Sequence, residues 1–200
     1  MKLSVVVPCY NEAVNVSEFE SELSKALLKE KITYEIIFID DGSTDDTYSK
    51  LSSLNKANKN VKVIRFSRNF GKESAMLAGL KNASGSYVAI MDADLQHTPE
   101  MLILMYKKLI NDDSFDCCCA YKSNREDEGS LKRTLTSLFY KINNKISDVK
   151  LLPGASDFRV FKKSVCDAIT SLDEKTRFLK GMFSWVGFNT IYVPYMPEKR

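Results

Sequence analysis

The chain reads as an α/β domain built on a doubly wound, mostly parallel sheet with helices on both faces. Short β-branched runs alternate with amphipathic stretches four times in succession, the rhythm of parallel strands joined by crossover helices. The first of these runs is short and β-branched, as a buried strand should be. The polar residues crowd at the C-terminal ends of the runs, where an open parallel sheet presents its ligands.

Taken in order, "LSVVVP" (3–8) is the first strand. A helical stretch follows, with Val16, Phe19, Leu23 and Leu27 on one face. "YEIIFIDD" (34–41) is the second strand, with a helix expected from Thr44 after the Gly42–Ser43 turn. "VKVIRF" (61–66) and "GKESAMLAGLKNA" form the third pair, and "SYVAIM" the fourth strand. Thr98-Pro99-Glu100 offers an N-cap, a proline in the first turn and an early acid, so a helix should start there. "FDCCCAYKS" reads as a fifth strand. Then come a long amphipathic helix carrying Leu131, Leu135, Leu138, Ile142 and Ile146, the segment "SDFRVF", a short helix, "TRFLKGMFSWVGF" and a last strand "TIYVPY". No repeat or linker interrupts the 200 residues, which predicts one domain.

Composition narrows the class. The chain holds 29 Lys and Arg against 26 Asp and Glu, a balance that excludes a strongly basic nucleic-acid binder. Its basic excess lies between Lys122 and Lys150, and the helix expected over 130–147 carries Lys132, Arg133, Lys141 and Lys145 either as ordinary solvated charge or to face anionic lipid headgroups. Five cysteines, three of them consecutive at 117–119, suit neither a disulfide framework nor zinc. They are expected as small core hydrophobes in a reducing cytosol. No apolar run reaches the ~18 residues of a spanning helix, and the N-terminus does not read as a signal peptide.

The chemistry is expected at the strand ends: "PCYNE", "DDGSTDD", "SRNFGKE" and "DADLQ". No G-x-G-x-x-G follows any strand, and "FGKES" lacks the first glycine of a phosphate loop, with Glu73 in place of its Ser or Thr. Without a glycine cradle, the charge of a diphosphate has to be met by a cation. Asp92 and Asp94, two apart and on one face if strand four continues, offer hard oxygen ligands together with Gln96, so Mg²⁺ or Mn²⁺ is the expected metal. The lone histidine, His97, reads as a solvated loop residue, and a hydrolase triad is unavailable without a second one.

In that order, "SVVVPCYNE", "EIIFIDDGSTDDT", "SRNFGKE", "MDADLQ", "SDFRVF" and "RFLKGMFSWVGF" resemble glycosyltransferase family 2, and within it the polyprenyl-phosphate glycosyltransferases. The resemblance covers the whole chain and implies a single domain with a nucleotide-sugar donor half over 1–97 and an acceptor half over 98–200. It implies a GT-A-type fold and a metal-dependent, inverting transfer of a sugar from a UDP- or GDP-sugar to a polyprenyl phosphate. It assigns Pro8, Tyr10 and Glu12 to the nucleoside, Asp40 to the base, and Asp41, Lys72, Asp92 and Ala93 to the donor side. Asp94, Gln96 and Asp92 would hold the metal, and Asp94 and Asp157 would carry the catalytic step. Lys122, Arg133 and Ser137 would grip the acceptor phosphate, while Arg177, Lys180 and Trp185 would close the site. Lys122 and Lys180 depart from the family's usual arginine, losing a bidentate fork, and His97-Thr98 replaces a common Asp-Pro. Family members usually continue into membrane-spanning helices after a segment like "PYMPEKR". The expectation is therefore the catalytic part of a longer protein at the cytoplasmic membrane face, with room for a homo-oligomer. Two alternatives stand beside it: a family 2 enzyme acting on a sugar hydroxyl, and a nucleotide-sugar-binding module that catalyses nothing.

Overall fold

A computed structural model describes residues 2–122, 155–172 and 178–195. Among these residues, seven strands form one sheet in the order β3-β2-β1-β4-β6-β5-β7. The first half is regular: β1 (Lys2–Cys9), α1 (Val16–Lys29), β2 (Thr33–Asp40), α2 (Thr47–Ala57), β3 (Val61–Arg65), α3 (Lys72–Asn82) and β4 (Tyr87–Ile90). These four strands are mutually parallel. Then follow α4 (Pro99–Asn111), β5 (Cys117–Lys122), β6 (Ala155–Lys162), α5 (Lys163–Ser171), α6 (Leu179–Trp185) and β7 (Thr190–Tyr195). Here the sheet turns mixed. β6 slots between β4 and β5 and runs antiparallel to both, while β7 lies parallel to β5 at the edge. The long helix expected over 131–146 lies outside the described residues.

Alternation along the strands divides the core in two. Leu3, Val5 and Val7 of β1 meet α1, α2 and α4 through Phe19, Leu23, Leu51, Leu102 and Met105. Val6, from the other face, meets α3, α5 and α6 through Met76, Leu80, Ile169 and Leu179. Burying each large side chain stabilises the fold by about 1.5–3 kcal/mol relative to exposure. All five cysteines are free and buried, as small core residues.

Local chemistry sets the element ends. Thr98 accepts the Met101 N–H at 3.3 Å with Pro99 at the first helical position, so α4 starts where its cap dictates. The helix expected from Thr44 begins instead at Thr47, because the preceding residues are taken up in loop hydrogen bonds. Asp45 accepts the Thr47 N–H, and Asn11 accepts the Thr44 N–H. Gly42, at φ +68°, lies against the backbone of Arg68, where a Cβ would stand 2.3 Å from a carbonyl carbon. The loops after β1, β2 and β3 are thereby laced into one rim.

At the opposite end of the sheet, Glu35 is buried with its carboxylate between Lys2 (3.0 Å) and Lys62 (2.7 Å). Ser4 and Ser84 donate hydroxyls to it and Ser84 adds its N–H. Burial alone would push this carboxyl up; the hydrogen bonds from Lys62, Ser4 and Ser84 outweigh that and hold it far below the usual range. One side chain thus ties β1, β2, β3 and the approach to β4.

Candidate active site

The rim encloses a cavity of about 340 Å³ lined by Pro8, Cys9, Tyr10, Glu12, Asp41, Asn69, Gly71, Lys72, Ala75, Asp92, Ala93 and Asp94. It lies over the C-terminal ends of the parallel strands, where the topology places a ligand. Seven of the eight residues expected on the donor side line it. Asp40 does not. Its carboxylate is fully buried, accepting the Ser43 N–H at 3.1 Å and standing 3.6 Å from Arg65 Nε. Asp41 accepts the N–H groups of Phe70 (2.7 Å) and Gly71 (2.9 Å), which fixes the loop before α3. Glu12 accepts from Asn15 Nδ2 at 2.7 Å and donates its N–H to Thr47.

Asp92 and Asp94 are not paired in the way the sequence predicts. β4 ends at Ile90, so alternation along a strand does not align them. They lie in a loop with Leu95 in left-handed backbone (φ +60°), and the Gln96 N–H donates to Asp94 Oδ1 at 3.2 Å. That turn, rather than a pleat, brings both carboxylates to the cavity. His97 also departs from its expected surroundings. Far from being solvated, it is buried, its ring 4.5 Å from Phe158 and 5.0 Å from Tyr195, with Nε2 3.1 Å from the Tyr195 hydroxyl. Burial pushes its pKa down, so the neutral ring is favoured.

Lys72 is the central cation. Its Nζ is 2.7 Å from Asp92 Oδ1 and 3.2 Å from Asp157 Oδ2, linking the donor-side loop to β6. Burial would lower its pKa, but Asp92 and Asp157 outweigh it and raise it. Lys180 Nζ reaches Asp157 Oδ1 at 3.5 Å. Burial would raise the Asp157 carboxyl, yet Lys72 and Lys180 hold it below the ordinary carboxylate range.

Of the other predicted residues, Lys122 closes β5 in register with Tyr195. Trp185 ends α6 and is 64% exposed, with no place in the cavity lining. Arg133, Ser137 and Arg177 lie outside the described residues. Sequence reasoning passed over Cys9, whose thiol is pushed well up by burial and then by Glu12, Asp40 and Asp92.

Carboxylates in the cavity lining suit a divalent cation. Among the described residues no group of three or more His, Cys, Asp and Glu could hold one unaided. Asp92 and Asp94 supply two hard carboxylates, and Mg²⁺ is commonly held by one or two such groups with substrate phosphates and water completing the shell. The residues fit a metal that arrives with a diphosphate.

The fold is that of a GT-A-type glycosyltransferase domain. The glycosyl transferase family 2 profile matches residues 4–170, and the chain belongs to that family. It is 38% identical over 200 residues to the bactoprenol glucosyl transferase of Shigella phage SfV, covering all of this chain and 64% of that one. It is 39% identical over 198 residues to the putative glycosyltransferase CsbB of Bacillus subtilis, covering 99% and 59%. The chain thus spans about three fifths of these relatives' length. Among solved structures, it superposes on the mannosyltransferase PcManGT from Pyrobaculum calidifontis, a complex with GDP-Man and Mn²⁺, with TM-score 0.64 and 20% identity, over 96% of this chain and 54% of that one. A glucosyl-3-phosphoglycerate synthase from Mycobacterium tuberculosis, with Mn²⁺, UDP-glucose and phosphoglyceric acid, gives TM-score 0.64 and 18% identity over 100% and 72%. No helix among the described residues is long and apolar enough to cross a membrane.

Proposed function

We propose that this chain is the catalytic part of an inverting glycosyltransferase. It carries a sugar from a UDP- or GDP-sugar to a polyprenyl phosphate at the cytoplasmic membrane face. The observation that carries the reading is the state of Asp157. A carboxylate held between two lysine ammonium groups, 3.2 and 3.5 Å away, is a weak base. A sugar hydroxyl would need a strong one. A phosphate monoester has its second pKa near ~6 and arrives ionised, so it needs none. Its oxygen forms the new bond to the anomeric carbon as the bond to the diphosphate breaks, and the electron pair leaves with the nucleoside diphosphate.

Asp157 and its lysines orient that phosphate in this scheme. Pro8, Tyr10 and Glu12 bound the nucleoside side of the cavity, with Asp92 and Ala93 beside the diphosphate. Asp94, Asp92 and Gln96 would hold Mg²⁺ or Mn²⁺, which when bound offsets the charge growing on the departing diphosphate. The name of the phage relative, a bactoprenol glucosyl transferase, supports the lipid acceptor. The neighbours bound to GDP-Man and to UDP-glucose support the donor class.

The test is a panel of nucleotide sugars assayed for nucleoside diphosphate release, with and without a short-chain polyprenyl phosphate. Release that rises only with the lipid phosphate is expected. Release stimulated instead by a free glycan would transfer the reading to hydroxyl acceptors, and donor binding without turnover would leave a binding module.

A further inference from the structure

α6 begins without a cap of its own. Its N-cap residue, Phe178, makes no side-chain hydrogen bond to the helix. The first amide is satisfied from elsewhere: Glu73 Oε2, on the first turn of α3 and 106 positions away, accepts the Leu179 N–H at 2.9 Å. A carboxylate at a helix start also meets the positive end of the helix dipole. Leu179, Met182 and Phe183 then bury the inner face of α6. Phe183 lies 4.1 Å beneath the guanidinium of Arg159, two residues along β6 from Asp157. Lys180, one residue past the amide that Glu73 holds, is the residue whose Nζ stands at Asp157.

We infer that Glu73 is a positioning residue: by holding the Leu179 N–H it fixes the start of α6 so that Lys180 is set against Asp157. Lys72, the preceding residue, joins Asp157 to Asp92. The first turn of α3 therefore reaches both the donor-side loop and the helix that serves the acceptor. Arg159 holds α6 to β6 through Phe183, but that contact lies a turn further on and does not set the first residue. The inference rests on the functional reading only in calling Asp157 the acceptor side. Its geometry can be tested without turnover.

The variants are Glu73→Ala, Glu73→Gln, which keeps an acceptor oxygen, and Glu73→Asp, which keeps the charge but is one methylene short. The first readout is the ¹³C shift of the Asp157 carboxyl, with Lys180→Ala as reference. Glu73→Ala and Glu73→Asp should move it most of the way to the Lys180→Ala position, while Glu73→Gln stays near wild type. The second is kinetic. Glu73→Ala should raise KM for polyprenyl phosphate about tenfold, the order expected for a lost hydrogen bond to a charged group. Nucleotide affinity should stay unchanged, and the same substitution should add nothing in the Lys180→Ala background. Additive losses in that double variant, or an Asp157 signal that remains at the wild-type position in Glu73→Ala and Glu73→Asp, overturn the inference. Should Glu73→Ala fail to fold, Glu73→Asp and Glu73→Gln still decide it. A wild type with the expected carboxyl shifts but no transfer to polyprenyl phosphate overturns the functional reading alone.

Discussion

Replacing Asp157 with Asn keeps the shape of the side chain and removes one negative charge from between two ammonium groups. At 3.2 Å from Lys72 and 3.5 Å from Lys180, each attraction is about 1 kcal/mol in water and roughly four times that at an effective dielectric constant near 20. The lysine side chains are 43% and 33% exposed, so the aqueous end of that range governs. The two contacts together then contribute about 2 kcal/mol, or roughly thirtyfold in rate if all of it serves orientation. An essential general base would contribute ~10²–10⁴-fold. The expected outcome for Asp157→Asn is therefore a loss of kcat of about ten- to thirtyfold with a polyprenyl phosphate acceptor. The pH profile is the sharper assay. With the Asp157 carboxyl held below the ordinary range, it stays ionised through the working range and contributes no limb near neutrality. The acidic limb should follow the acceptor phosphate near pH ~6 and persist unchanged in the mutant. A mutant dead at every pH, with nucleotide affinity intact, would refute the argument and make Asp157 a base for a hydroxyl acceptor.

Asp94→Asn should weaken Mn²⁺-dependent binding of the nucleotide sugar by about tenfold or more while leaving the unfolding midpoint alone; calorimetric titration with and without Mn²⁺ reads both. Glu35→Gln should cost about 2–4 kcal/mol in urea unfolding, because it breaks a buried carboxylate shared by Lys2 and Lys62. The folded carboxyl is depressed, so its contribution is fully present above the unfolded glutamate value near ~4.3 and drains as pH falls below it. Wild type should consequently lose its advantage over Glu35→Gln on acidification. Gly42→Ala should cost about 1–3 kcal/mol through left-handed backbone strain, with a further loss from its contact with Arg68. Reduced nucleotide affinity at unchanged thermal stability would show that the loop had yielded instead.

By itself, the sequence determined the layered α/β fold, the four parallel strands and the rim on which the polar residues gather. Those features follow from periodicity and from where a strand run meets Gly, Asp and Asn, all of them local. The cap of α4 was equally legible, since Thr98 and Pro99 act within one turn. The tertiary structure alone decided where β6 inserts, because strand order between β4 and β5 depends on partners far apart in the chain. It also decided the fate of single residues. His97 lies in a loop as expected but is not solvated, because Phe158 and Tyr195 enclose it. Asp92 and Asp94 were expected to align through a strand, and a turn aligns them instead. Lys72 at Asp157 and Glu73 at Leu179 leave no local trace, because an ion pair or a cap made between elements far apart in the chain needs only reach and desolvation, neither of which has a period in the sequence.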